Sequence, residues 1–152
     1  MNITDTLREC HRIVWQYRAE LESVWPTPTT EDALLFAFTE LGEAVDAHLR
    51  SKPEYARNRD KDLDVLDELA DCAMMLLTAM GPTWTFRFWS RSHISSHQWR
   101  SHITYLAACM AMGDQEMATL VRDIATHPGM DLPTRLTARL ERIKAKRLAA
   151  VA

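Results

Sequence analysis

The sequence is poor in the residues that mark most catalytic loops. Glycine occurs only 4 times in 152 residues, which favours helix over strand and leaves no glycine-rich loop to cradle phosphates. Cysteine occurs 3 times, at Cys10, Cys72 and Cys109. These are far apart, odd in number and set in apolar helical patterns, so they read as buried thiols of a reducing compartment and exclude a disulfide frame or zinc knuckle. Net charge is only −3 with a pI near 6.1, so no global field recruits nucleic acid or an anionic membrane. No apolar run reaches the roughly 18 residues that a membrane span needs. The first residues, Met-Asn-Ile-Thr-Asp, lack the basic and apolar regions of a signal peptide. A cytoplasmic protein is expected. No Ser/His/Asp or Cys/His nucleophile arrangement is evident. His93 and His97 stand at i, i+4, a zinc-compatible spacing, but no carboxylate lies near them in sequence.

What is present is helical periodicity. Leu7, Cys10, Ile13, Val14, Tyr17, Leu21 and Val24 recur at three-to-four spacing and predict a first helix over about 4–25, capped by Asn2 or Thr4. Pro26-Thr27-Pro28 stops it. Thr29 or Thr30 caps a second helix with the apolar stripe Leu34, Leu35, Phe38, Leu41, Val45 and Leu49. A third is expected over about 62–80, striped by Leu63, Leu66, Leu69, Ala70, Ala73, Leu76, Leu77 and Met80 and closed by Gly81-Pro82. Residues 82–94 alternate Trp84, Phe86 and Phe88 with polar residues, a strand-like pattern too short to build a sheet. Further helices are expected over 95–112, 114–126 and from 131–134 onward. The last of them ends in Arg139, Arg142, Lys144, Lys146 and Arg147, which suit its negative terminus. With no repeat or linker, residues 1–152 form one all-α domain, a bundle of five to six helices. Residues 82–152 complete the bundle or a dimer interface around a core at 1–81.

Two acidic pairs stand out, Glu40-Leu41-Gly42-Glu43 and Glu68-Leu69-Ala70-Asp71. Residues three apart share a helix face, so each pair aims two carboxylates one way. Single pairs of this kind are common on solvated helix flanks. Two pairs of identical spacing, both bordering the apolar stripe, carry a like-charge cost that a bound cation would offset. Antiparallel packing of the two helices would converge four acids, and oxygen-only ligation suits Mg²⁺ or Mn²⁺. Asp64, on the same face at i−4 from Glu68, is a further candidate ligand.

The segment Leu34-Leu35-Phe36-Ala37-Phe38-Thr39-Glu40-Leu41-Gly42-Glu43-Ala44-Val45-Asp46, followed by Asp67-Glu68-Leu69-Ala70-Asp71, resembles the signature of the all-α nucleoside triphosphate pyrophosphatases. These are the MazG-like proteins, including dimeric dUTPases and dCTP pyrophosphatases. The resemblance spans residues 5–80, with 24 residues (44–67) between the halves. It implies a MazG-like helical bundle in which Glu40, Glu43, Glu68 and Asp71 bind Mg²⁺ and serve catalysis. The implied reaction is hydrolysis of an NTP or dNTP to the monophosphate and pyrophosphate. Thr39 stands where many members have a leading acid. No asparagine follows Asn58 to supply the nucleotide-touching Lys/Asn pattern of the last helix.

Such an enzyme needs cations near the phosphates. Lys52, Arg57, Arg59 and Lys61 in the connection after the second helix are candidates, Lys61 first, as are Lys144, Lys146 and Arg147; each also reads as ordinary surface charge. A base needs a stackable slot, for which Trp25 and Trp84 lead over Trp15, Phe36 and Trp89, although core packing claims most aromatics. A homodimer or higher homo-oligomer follows partly from the resemblance and partly from apolar helix surface in excess of what one layer buries. Two rivals stand beside this reading. A di-iron bundle uses Glu-x-x-His, and no glutamate here has a histidine three residues on. A non-catalytic helical protein could keep the acidic helices as an assembly or regulatory surface.

Overall fold

Short polar side chains set the helix starts by accepting hydrogen bonds from amides that the first turn leaves unpaired. Asn2 accepts from the Asp5 amide at 3.0 Å to open α1, Ile3–Leu21. Thr29 accepts from the Asp32 amide at 3.1 Å and donates its hydroxyl to the Asp32 carboxylate, opening α2, Thr30–Arg50. Asp64 accepts from the Leu66 amide at 2.8 Å before α3, Val65–Ala79. Asp131, followed by Pro133 in the first turn, caps the helix Leu132–Ala149. These bounds come from a computed structural model, which describes residues 2–55, 64–85 and 114–151. The remaining helix, Asp114–Ala125, is α4, so Leu132–Ala149 is α5. A single 3-10 turn, Pro53–Tyr55, follows α2, and no strand occurs among the described residues.

The architecture is an all-α bundle arranged around α3, which packs against α1, α2, α4 and α5. Every residue of α3 from Glu68 to Ala79 is buried. The core adds Leu7, Cys10 and Val14 of α1, Leu120, Val121 and Ile124 of α4, and Leu132, Leu136 and Leu140 of α5. Helices α2 and α3 run antiparallel. The Thr30 hydroxyl donates to the Ala79 carbonyl at 3.5 Å at one end, while Glu40 meets Glu68 and Asp71 farther along. No helix is long and apolar enough to cross a membrane among the described residues. Cys10 and Cys72 are buried, and burial pushes the Cys10 thiol up to about 12.

Several expectations change in detail. α1 ends at Leu21, four residues short of the expected 25, because Val24 and Trp25 turn back to bond the Leu21 carbonyl ahead of the prolines. α3 begins at Val65, after the expected 62, since Asp64 turns its side chain onto the Leu66 amide as a cap. Gly81 ends the α3 region with φ +79°, a conformation that favours glycine. The largest revision concerns α2. Its buried face is Ala33, Ala37, Leu41, Ala44 and Ala47, so of the expected stripe Leu41 is buried and Leu34 packs against the core. Leu35 and Phe38 are half exposed, at 50% and 51%. The small residues let α2 lie close against α3, and close approach wins over the size of each side chain. The expected helix over 95–112, the alternation beyond Thr85, Cys109 and the histidines 93, 97 and 102 lie outside the described residues.

Candidate metal centre

Glu40 from α2 and Glu68 and Asp71 from α3 meet at one place, each with a carboxylate oxygen within 4.8 Å of the others. Glu68 and Asp71 are buried, each 6% exposed, because α3 is enclosed on all sides. Glu40 is half-buried at the border of the alanine face of α2. Two unit charges at such a separation repel by about 3–4 kcal/mol at the effective dielectric of a protein. Three unscreened anions therefore do not coexist there.

Two devices relieve the crowding. The first is a proton. Burial, then the charges of Glu43 and Glu68, push the Glu40 carboxyl up to about 7. Burial likewise raises Glu68, while the bond from Glu40 works the other way. Glu40 thus holds the proton and donates it to Glu68. The second is a guanidinium. Arg139 of α5 grips Asp71 with both arms, Nε to Oδ1 at 2.8 Å and Nη2 to Oδ2. Arg139 also pulls Glu40 and Glu68 downward through space.

Arg139 belongs to a ladder. Arg135, Arg139 and Arg142 stand at i, i+4 and i+7 on α5 and face Asp64, Asp67 and Asp71, at i, i+3 and i+7 along α3 and its cap. Arg135 pairs with Asp64 at 3.2 Å and with Asp67, and Arg142 reaches Asp67 at 3.8 Å. The two periodicities are visible in the sequence, although the basic residues of the last helix suggested dipole compensation and phosphate contacts, not pairing with α3. Asp64 is exposed, serves as the α3 cap and pairs with Arg135, and it stands outside the acidic cluster. Glu43 is exposed and also outside the cluster, though its charge raises both Glu40 and Glu68.

A groove of about 600 Å³ opens beside the acids. Glu40 and Asp71 form one part of its wall. Trp25, Pro26, Pro28, Phe36, Met74, Met75 and Ile143 line it with flat and apolar surface, and Lys146 and Arg147 bring positive charge from the end of α5. Of the predicted substrate contacts, Trp25, Lys146 and Arg147 are here, with Phe36. Lys144 is not among the lining residues. It pairs with Glu20 at 3.0 Å and lies over the Tyr17 ring. Trp84 packs on the core beside His11, and Trp15 donates to the Leu77 carbonyl at 3.1 Å. Lys52, in the connection after α2, does not line the groove. Arg57, Arg59, Lys61 and Trp89 lie outside the described residues.

One lining residue went unread in the sequence. Arg18 is 1% exposed and sits within the buried series Leu7, Cys10, Val14, Arg18, Leu21. A charge at a core position of an otherwise apolar stripe was the available signal. Its guanidinium carbon lies 3.6 Å from the centroid of the Trp25 ring. Nε donates to the Thr78 hydroxyl at 3.4 Å and Nη2 to the Met75 sulfur at 3.7 Å. Nη1 is buried with no acceptor among the described residues. Burial lowers the group to about 10, so it is still charged at neutral pH.

The donor set suits a hard divalent cation. Three carboxylates offer oxygen alone, and their own repulsion supplies the need for positive charge. Metal binding would displace the Glu40 proton and require Asp71 to share or release Arg139. Comparisons with protein-family models, with curated proteins and with solved structures find no match to this chain.

Proposed function

We propose that the protein is a Mg²⁺-dependent nucleoside triphosphate pyrophosphohydrolase of the MazG-like kind, with Mn²⁺ able to substitute. One observation carries the reading. Three of the four acids of the double motif, far apart in sequence, converge beside a groove with aromatic, apolar and basic walls. In this reading Glu40, Glu68 and Asp71 hold the cation, and Glu43 acts through its charge. Bound there, Mg²⁺ supplies charge neutralisation and acidifies a water molecule. The water gives its proton to a carboxylate of the cluster as its oxygen bonds to the α-phosphorus. The bond from that phosphorus to the bridging oxygen breaks and pyrophosphate leaves. Lys146 and Arg147 face the charge that builds on the phosphate oxygens. Trp25 and Phe36 flank the base. The buried free thiol of Cys10 supports a reducing, cytoplasmic setting. The exposed series Leu35, Phe38 and Leu49 on α2 supports a homodimer.

The test is a panel of canonical and modified NTPs and dNTPs with Mg²⁺, reading pyrophosphate against phosphate release. Pyrophosphate release that vanishes in Glu68→Gln supports the reading. Phosphate alone would place cleavage elsewhere and sink the α-phosphorus mechanism. One observation favours the non-catalytic rival, namely that Arg139 already neutralises Asp71 from within the fold. Silence across the panel, with no Mg²⁺ bound in a titration, would decide for it.

A further inference from the structure

A buried guanidinium without a carboxylate is expensive unless something else meets its donors. Arg18 has five N–H groups, and the protein meets them with one long hydroxyl contact and one sulfur. Nη1 is enclosed and meets no acceptor among the described residues. Glu22 acts on Arg18 only through space, and no carboxylate pairs with it among the described residues. The ring of Trp25 covers one face of the guanidinium, fixing its plane. This rigid, donor-only group lines the same groove as Glu40 and Asp71.

Its place along the groove limits what it meets. Arg18 bonds to Met75 and Thr78, four and seven residues beyond Asp71 on α3. That is about 6–10 Å along the helix axis, the span from a nucleotide's phosphates to its base. The walls at this end include Trp25, Pro26, Pro28 and Met75, a slot for a flat, neutral group and a poor one for a phosphate. We propose that Arg18 is the specificity-determining residue of the groove, its guanidinium donating to a carbonyl oxygen of the nucleobase once a bound base displaces the side chains that enclose it. The inference rests on the nucleotide reading above and adds to it a substrate class. Uracil, thymine, guanine and cytosine each carry a carbonyl acceptor. Adenine carries none; its acceptors are ring nitrogens, and N1 and N7 each lie beside an amino donor that opposes a donor-only group. Adenine nucleotides are therefore the poorest ligands.

The test is calorimetric titration of UMP, GMP, CMP, AMP and tripolyphosphate, each with Mg²⁺, into the parent protein, Arg18→Met and Arg18→Lys. Thermal unfolding of each variant is measured alongside. In the parent, the carbonyl-bearing monophosphates bind more tightly than AMP. Arg18→Met weakens them about tenfold or more, the scale of one charged hydrogen bond. AMP and tripolyphosphate stay within about twofold, the scatter expected where no contact is lost. Its unfolding midpoint is equal or higher, since a buried cation without a partner has been removed; a purely structural arginine would lower it. If Arg18→Met does not fold, Arg18→Lys carries the same comparison, keeping charge while losing the planar fork. Equal weakening of AMP, weakened tripolyphosphate, or unchanged affinities with a lowered midpoint would each overturn the assignment while leaving the pyrophosphatase reading in place. Failure of Mg²⁺ and of every nucleotide to bind the parent would overturn both.

Discussion

Helices α2 and α3 carry acid pairs of the same i, i+3 spacing, yet they place them in different environments. α3 is enclosed on every side, so Glu68 and Asp71 are both 6% exposed. α2 buries one face of four alanines and Leu41, so Glu40 is half-buried and Glu43 faces solvent. The difference lies in what surrounds each helix, not in the motif. On α3 the fold must compensate its acids, and Arg139 does so. On α2 water compensates Glu43, and a proton compensates Glu40. The central helix supplies fixed ligands, and the peripheral helix supplies one whose charge responds to its surroundings.

Substitutions can sharpen or break this contrast. Glu68→Gln should abolish Mg²⁺ binding and lower pyrophosphate release by about 10³-fold, the scale of losing a preorganised electrostatic group. Glu43→Gln should leave both within about tenfold, since its contribution is through space. Equal losses in the two variants would refute the asymmetry. Arg139→Met leaves Asp71 buried without its partner and should cost about 3 kcal/mol in chemical denaturation of the metal-free protein. Mg²⁺ should restore part of that loss, since metal and guanidinium address the same carboxylate.

Packing gives a smaller contrast within α2. Ala37→Leu forces bulk into the α2–α3 contact and should cost about 1–3 kcal/mol. Leu35→Ser on the exposed face should change monomer stability by no more than about 0.5 kcal/mol, while weakening self-association in sedimentation velocity. The pH dependence has a definite sign. The folded Glu40 carboxyl titrates near 7, above its ordinary value, so folding favours its protonated form. That stabilisation is present at low pH and is lost as pH rises through about 7. The metal-free unfolding midpoint should fall over that interval, and Glu40→Gln should flatten the trend. Mg²⁺ binding should strengthen over the same interval and release a proton, read as a buffer-dependent heat in calorimetry.

The helices were legible because their causes are local. Asn2, Thr29 and Asp131 cap helices where short polar side chains precede apolar periodicity, and Gly81 closes α3 where a left-handed residue is needed. The acidic pairs were legible for the same reason, since i, i+3 spacing sets a shared face without reference to the rest of the chain. The burial of α2 was misread because periodicity marks an apolar face without saying which of two such faces a neighbour covers. Leu35 and Phe38 outweigh Ala33 and Ala37 in hydrophobicity, yet close packing on α3 chose the alanines.

The sequence by itself therefore determined an all-α chain with two paired carboxylate motifs, because backbone propensity, capping and 3.6-residue periodicity act within one turn. Tertiary structure alone decided that Glu40 joins Glu68 and Asp71 while Glu43 stays in solvent, that Arg139 answers Asp71, and that Arg18 lies buried against Trp25. Each of these depends on residues distant in sequence sharing one low-dielectric space. Desolvation and charge pairing are properties of that space, and no local pattern contains them.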